Sequence, residues 1–186
     1  MNYQNLIHQY TKILEEFFAG KGFLFEEVVD LTTESLKEGH KILIFGNGGS
    51  AAQAQHFAAE MVNKFLKIRL PLKAISLTTD TSALTSISND TSFDHVFSRQ
   101  IEALGDKGDV ALALSTSGNS PNIIKAIGVA KKKELLTVGL TGRGGGKLAQ
   151  LVGYLLDIPS ESTPRIQEAH LLILHLLAQE LEDKLS

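Results

Sequence analysis

Lys41-Ile-Leu-Ile-Phe45 runs straight into Gly46-Asn-Gly-Gly-Ser50, and a helical period follows from Ala51 to Leu66. A short aliphatic run, a glycine break and a helix make a strand–loop–helix unit. Comparable apolar runs recur at Lys73 to Leu77, Val110 to Leu114, Leu135 to Leu140 and Tyr154 to Ile158. Helical stretches at Phe93 to Leu104, Asn122 to Lys133, Lys147 to Leu151 and about Pro164 to Leu185 separate or follow them. Strands alternating with helices pair in parallel through right-handed crossovers. The expected fold class is therefore α/β, a three-layer sandwich with a central parallel sheet of about five strands flanked by helices.

The forty residues ahead of that unit also look helical. Leu6, Tyr10, Ile13, Leu14 and Phe17 make one stripe, and Phe25, Val28, Val29, Leu31 and Leu36 continue an apolar pattern beyond Gly20 and Gly22. No repeat and no long linker divides the chain, so one domain is expected over 1–186, with a helical extension over about 1–38. Net charge is -3, the wrong sign for a nucleic-acid footprint. The longest greasy stretch, Leu171 to Ala178, is too short for a bilayer and is broken by His175, so no membrane span is expected. Without an apolar signal core near the N-terminus, the expected location is cytoplasmic. Cysteine is absent, which leaves His, carboxylate or amide oxygen as the only metal donors.

In parallel sheets of this class ligands collect at the carboxyl ends of the strands. The loop Gly46 to Ser50 stands at such an end. Its glycines let backbone N–H groups approach a ligand, and Ser50 can cap the following helix. The loop lacks the Gly-Lys-Ser/Thr of a P-loop and departs from the dinucleotide fingerprint. In the helix, His56 and Glu60 stand four apart and share one face, which Asn63 and Lys64 extend. A solvated pair is the ordinary reading of that spacing; starting from a ligand loop favours a pocket wall instead.

A second loop, Ser115-Thr-Ser-Gly-Asn-Ser120, follows the third strand and leads into Pro121. Pro at the first helical position with Ser120 before it fixes the helix start. Four hydroxyls in six residues, with free N–H groups beside them, suit a phosphate monoester held by neutral donors. Ser162 and Thr163 mark the start of the last helix, with Gln167 in its first turn and His175 two turns on. A lone histidine in an apolar stripe is ordinarily a core residue, and spacing cannot choose between His170 and His175. Eight helical residues span about 12 Å. Gln167 and His175 therefore reach one ion only by stretching along the axis, or else serve neighbouring subunits.

Together these segments resemble the sugar isomerase (SIS) fold and, within it, the phosphoheptose isomerase family, over nearly the whole chain. The motifs are Gly46-Asn-Gly-Gly-Ser50, His56-Phe-Ala-Ala-Glu60, Ser88-Asn-Asp90, Phe97-Ser-Arg-Gln100, Ser115 to Ser120, and Arg165-Ile-Gln-Glu-Ala-His170 followed by His175. The resemblance implies one zinc ion on His56, Glu60, Gln167 and His175, and an acid/base pair of Glu60 and His175. It implies substrate contacts from Asn47, Gly48, Gly49, Glu60, Asn89, Asp90, Ser115, Thr116, Ser117, Ser120 and Gln167, the serine loop taking the phosphate. It implies a homotetramer with sites at subunit interfaces. The implied reaction converts D-sedoheptulose 7-phosphate to D-glycero-D-manno-heptose 7-phosphate through an enediol, the first step toward nucleotide-activated heptoses of surface glycans. Lys64 stands where some relatives carry arginine, and Pro164 where some carry an acidic residue. The alternative is a non-catalytic protein of the same fold that binds a replication initiator or senses a sugar phosphate; Glu60 favours the enzyme.

Overall fold

The computed structural model describes residues 3–186 and contains five strands, all parallel, in the order β2-β1-β3-β4-β5. These are β1 (Ile42–Gly46), β2 (Ala74–Ser76), β3 (Val110–Ser115), β4 (Leu136–Thr141) and β5 (Tyr154–Asp157). Each falls within one residue of, or inside, the apolar run that announced it. Along β1 the side chains alternate between two cores. Ile42 and Ile44 face α1 (Tyr3–Lys37), α2 (Gly49–Val62) and α6 (Thr163–Leu185), while Leu43 and Phe45 face α4 (Val96–Leu104) and α5 (Pro121–Lys132). A strand buried on both faces has no polar side, which explains why these runs read as continuous rather than alternating.

Strand order reverses direction at β1, which has β2 on one side and β3 on the other, with Gly46 opposite Leu114. The loops leaving β1 and β3 therefore open side by side at the switch point, where sheets of this kind bind ligands. None of the helices among the described residues is long and apolar enough to cross a membrane.

The N-terminal region is one uninterrupted helix through Gly20 and Gly22, packed along α6 and onto β5, in line with the helical extension expected there; residues 1 and 2 of that extension lie outside the described residues. Other expectations need correction. The stretch from Lys147 to Leu151 is a single 3-10 turn, Gly146–Gln150. A 3-10 turn at Phe93–His95 precedes α4. An additional helix, α3 (Thr81–Asp90), was not anticipated: it has no fully buried side chain, and its apolar stripe is only Leu84 and Ile87, half-buried against the core among Ser and Thr residues. Its start is set by Asp80, whose carboxylate accepts from the Ala83 N–H at 2.9 Å.

Helix α2 ends at Val62, not Leu66, with Asn63 as its C-terminal cap residue. What pulls the chain away is Glu182 of α6. Its carboxylate accepts from the backbone N–H groups of Phe65, Leu66 and Lys67 at 2.9, 2.7 and 2.7 Å. Arg69 Nε lies 3.1 Å from the same carboxylate, a pair held by charge rather than by an aligned hydrogen bond. Both side chains are almost wholly buried. No window around residue 65 contains this information, because the acceptor lies more than a hundred residues further on.

Candidate active site

Loop 46–50 begins at the end of β1, and the N-terminal cap residue of α2 is Gly48, with no side-chain cap. Ser50, expected as the cap, is buried inside the first turn instead. Gly49 lies where α2 packs against α6: a Cβ there would stand 2.6 Å from the amide nitrogen of Gln167. Gln53 one turn later donates to the Gln167 carbonyl at 2.6 Å. The two helices run side by side in the same direction, so the next level down the pair brings His56 to His175.

There the two imidazoles meet, Nε2 to Nε2, at 3.2 Å, with ring centroids 5.0 Å apart. His56 Nε2 also lies 3.1 Å from Glu60 Oε1. Three of the four residues singled out in the sequence thus form one contiguous group, joined through His56 and open to solvent on one side. Gln167 is not in that group; its side chain packs against Gly49, toward the loop. Among the described residues, no set of three or more His, Asp or Glu side chains stands ready to hold a metal ion.

The second loop turns tightly after β3, with the Gly118 N–H on the Ser115 carbonyl at 3.0 Å. Ser115 and Ser120 hydroxyls lie 3.3 Å apart, so these two face each other across the turn. Thr116 is half-buried and Ser117 exposed. Ser120 is the N-terminal cap residue of α5 and Pro121 its first residue, as the sequence implied. Because α2 follows β1 and α5 follows β3, the N-terminal ends of both helices open at one edge of the sheet. Their positive dipole ends favour an anion there.

Asn47 and Asn122 tie the two loops together by exchanging side-chain hydrogen bonds at 2.9 and 2.8 Å. Asn122 is nearly fully buried. Asn47 thus acts as a strut between the loops. Asn89 and Asp90 close α3 on the exposed side of the molecule, and Asn89 donates to the Asp90 carboxylate at 2.9 Å. Within the single chain this is the side-chain hydrogen bond they make. The cleft beside the first loop, about 120 Å³, is lined by Gly46, Asn47, Gly48, Ala51, Thr78, Leu84, Phe93 and Phe97.

The choice left open between His170 and His175 is decided by packing. His170 is completely buried, its Nε2 donates to the Thr141 carbonyl at 3.1 Å, and burial pushes its pKa down to about 4. It is a neutral core residue, whereas His175 faces His56. Two neighbours of the site escaped the sequence reading. Phe65 stacks on the His175 ring at 5.5 Å and 26°, and nothing local marks it. Asn122 carried a usable signal, a polar residue just after Pro at a helix start.

This geometry can be set beside known proteins. Residues 5–142 match the SIS domain family. The phosphoheptose isomerase of Desulfovibrio desulfuricans is 53% identical over 169 residues, covering 91% of this chain and 80% of that protein. That of Campylobacter jejuni is 50% identical over 175 residues, 94% of each. The chain belongs to the phosphoheptose isomerase family. Its backbone agrees with this: the solved phosphoheptose isomerase of Neisseria gonorrhoeae superposes with a TM-score of 0.91 at 42% identity, covering 97% of both chains. The meeting of His56, Glu60 and His175 beside two anion-favouring loops is thus found in a phosphoheptose isomerase fold from end to end.

Proposed function

We propose that this chain is an aldose–ketose isomerase converting D-sedoheptulose 7-phosphate to D-glycero-D-manno-heptose 7-phosphate, at the head of nucleotide-activated heptose synthesis for surface glycans. The observation that carries this reading is the convergence of Glu60 and His175 on His56, from stretches more than a hundred residues apart. Ser115, Thr116, Ser117 and Ser120 offer hydroxyls to the phosphate, next to the end of α5. Asn47, Gly48 and Gly49 line the sugar from the other loop, with Asn89, Asp90 and Gln167 as further substrate contacts.

The reaction moves one proton between C1 and C2. Glu60 removes the C1 proton of the ketose while the carbonyl oxygen at C2 gains one, which gives the 1,2-enediol. His175 carries protons at the two oxygens; its imidazole can give one to O2 and take one from O1. Return of the proton from Glu60 to C2 completes the aldose. The glycine loop and the helix ends face the negative charge that develops on the oxygens.

We assign one zinc ion per subunit to His56, Glu60 and His175, with Gln167 as the amide donor from this chain or a neighbouring copy. Two of the separations suit the ion: donors on a tetrahedral zinc with bonds of about 2.0–2.1 Å stand roughly 3.3 Å apart, close to the 3.1 and 3.2 Å at His56 Nε2, and closing a three-ligand set requires Glu60 and His175 to turn toward a common point. When bound, the ion supplies positive charge that stabilises the enediolate oxygens. A homotetramer with sites where subunits meet is the assembly we propose. Leu66, Ile68 and Leu70 are 64%, 93% and 83% exposed on the segment beside the site, an apolar strip larger than isolated surface residues require. The cleft of about 120 Å³ is also well below the roughly 300–1,000 Å³ of ordinary small-molecule sites. A cytoplasmic setting fits a phosphorylated substrate, which does not cross a bilayer unaided.

The test is conversion of sedoheptulose 7-phosphate by the purified protein, with metal analysis and light scattering on the same sample. Turnover is expected in the native chain and a loss of ~10²-fold or more in Glu60→Gln with its fold intact. A native protein that binds the sugar phosphate without converting it would instead be a sensor or an adaptor.

A further inference from the structure

Residues 63–73, between α2 and β2, carry a buried network that touches no substrate-binding loop. Glu182 is 1% exposed, yet its carboxylate gathers the three consecutive N–H groups of Phe65, Leu66 and Lys67 and faces Arg69. Burial alone would raise its pKa; the three N–H groups and the Arg69 charge outweigh that and hold it below the usual range, so it is an anion at neutral pH.

The network reaches the site by two routes. Through Arg69 it closes α2: Nη2 donates to the Glu60 carbonyl and Nη1 to the Met61 carbonyl, each at 2.9 Å. The last carbonyls of a helix have no partner of their own, so this guanidinium fixes the end of α2 at the residue that carries the site carboxylate. Through the backbone of 65–67 it fixes Phe65, whose half-buried ring lies flat against His175. Glu182 stands seven residues beyond His175 on the same face of α6. One carboxylate on α6 thus ties down both neighbours of the reacting groups.

We propose that Glu182, Arg69 and Phe65 form a clamp that positions Glu60 and His175 for proton transfer, an inference that rests on the isomerase reading for its kinetic consequence. The clamp touches neither the serine loop nor the glycine loop, so it sets the rate of the chemical step and leaves sugar-phosphate binding alone. Phe65 supplies a flat wall that keeps the His175 imidazole from rotating. Arg69 keeps the last turn of α2 from fraying and carrying Glu60 with it.

Three variants of the full-length protein test this. Phe65→Leu keeps an apolar side chain of similar reach and removes the flat ring, and a kcat lower by about tenfold is expected with KM changed less than twofold. Phe65→Tyr restores the ring and returns kcat to within about twofold of native. Glu182→Gln lowers kcat by tenfold or more at temperatures where it remains folded. A second readout is independent of turnover: long-range proton–nitrogen NMR of the histidine imidazoles, in which the His175 signals shift or broaden in Phe65→Leu and hold their native positions in Phe65→Tyr. A folded Phe65→Leu with native kcat, a KM that rises in step with the fall in kcat, or unchanged His175 signals would each overturn the clamp. Absence of turnover in the native chain would overturn the isomerase reading instead, and the NMR comparison would still decide the clamp.

Discussion

His170 gives the structure a pH dependence that can be worked out and measured. It is wholly enclosed between α6 and β4, with Nε2–H on the Thr141 carbonyl and Nδ1 without a partner. Burial lowers its pKa from 6.5 to about 4, although the hydrogen bond to Thr141 opposes the shift. Between these values the unfolded chain binds a proton that the folded chain refuses, so stability rises with pH across that window. The contribution is complete above about pH 6.5 and is lost as pH falls toward 4. At 1.36 kcal/mol per pH unit the full loss is roughly 3 kcal/mol, of which about 2 kcal/mol is gone by pH 5. His170→Gln keeps an N–H for Thr141 and cannot titrate. In urea unfolding at fixed protein concentration, the stability difference between native and variant chains should therefore swing by about 2 kcal/mol in the variant's favour between pH 7.5 and pH 5. Turnover at pH 7.5 should survive the substitution. A difference that stays flat across that range would refute the claim that this imidazole is held neutral by burial.

Three further outcomes are expected. His175→Ala should lower turnover by ~10²-fold or more while leaving the protein folded, as for the loss of a general acid/base group; steady-state kinetics and melting curves decide it, and native turnover would return His175 to an ordinary packing role. Asn122→Ala removes both bonds to Asn47 and leaves that amide unpaired, which should cost ~1–3 kcal/mol in chemical unfolding and raise KM as the two loops lose their strut. Gly118→Ala forces φ of 62° on a residue with a side chain and drives its Cβ into the Gly145 carbonyl. Such strain costs on the order of 1–3 kcal/mol, and a higher KM for the sugar phosphate in the variant is the result to look for.

How much of this was legible from the residues depends on the distance over which each feature is determined. The three central strands announce themselves because a strand buried on both faces needs an unbroken apolar run, as Ile42 to Phe45 and Val110 to Leu114 show. The pairing of His56 with Glu60 is written in a spacing of four, and the start of α5 in Ser120-Pro121. By contrast, α3 stays hidden because its apolar stripe is only Leu84 and Ile87, set among Ser82, Thr85 and Ser86; it folds on a cap from Asp80 and on packing against the 3-10 turn and α4.

The site shows the same division more sharply. Each loop could be read alone, but which histidine enters the site is a property of how α6 is rotated against α2 and β4. That rotation is set where α6 meets its neighbours: Gln167 against Gly49, where a Cβ would collide, His170 against the Thr141 carbonyl, and Glu182 against the 65–67 backbone. Residues 167, 170, 175 and 182 are spaced 3, 5 and 7 apart, so a helix turning 100° per residue sends His170 and His175 about 140° away from each other. One of them must then be enclosed if the other faces α2. The enclosed one is His170, because its N–H finds an acceptor inside the core, the Thr141 backbone carbonyl at the end of a strand, which lets the neutral imidazole stay buried. The same contact that removes His170 from the chemistry therefore orients His175 toward His56 and Glu60.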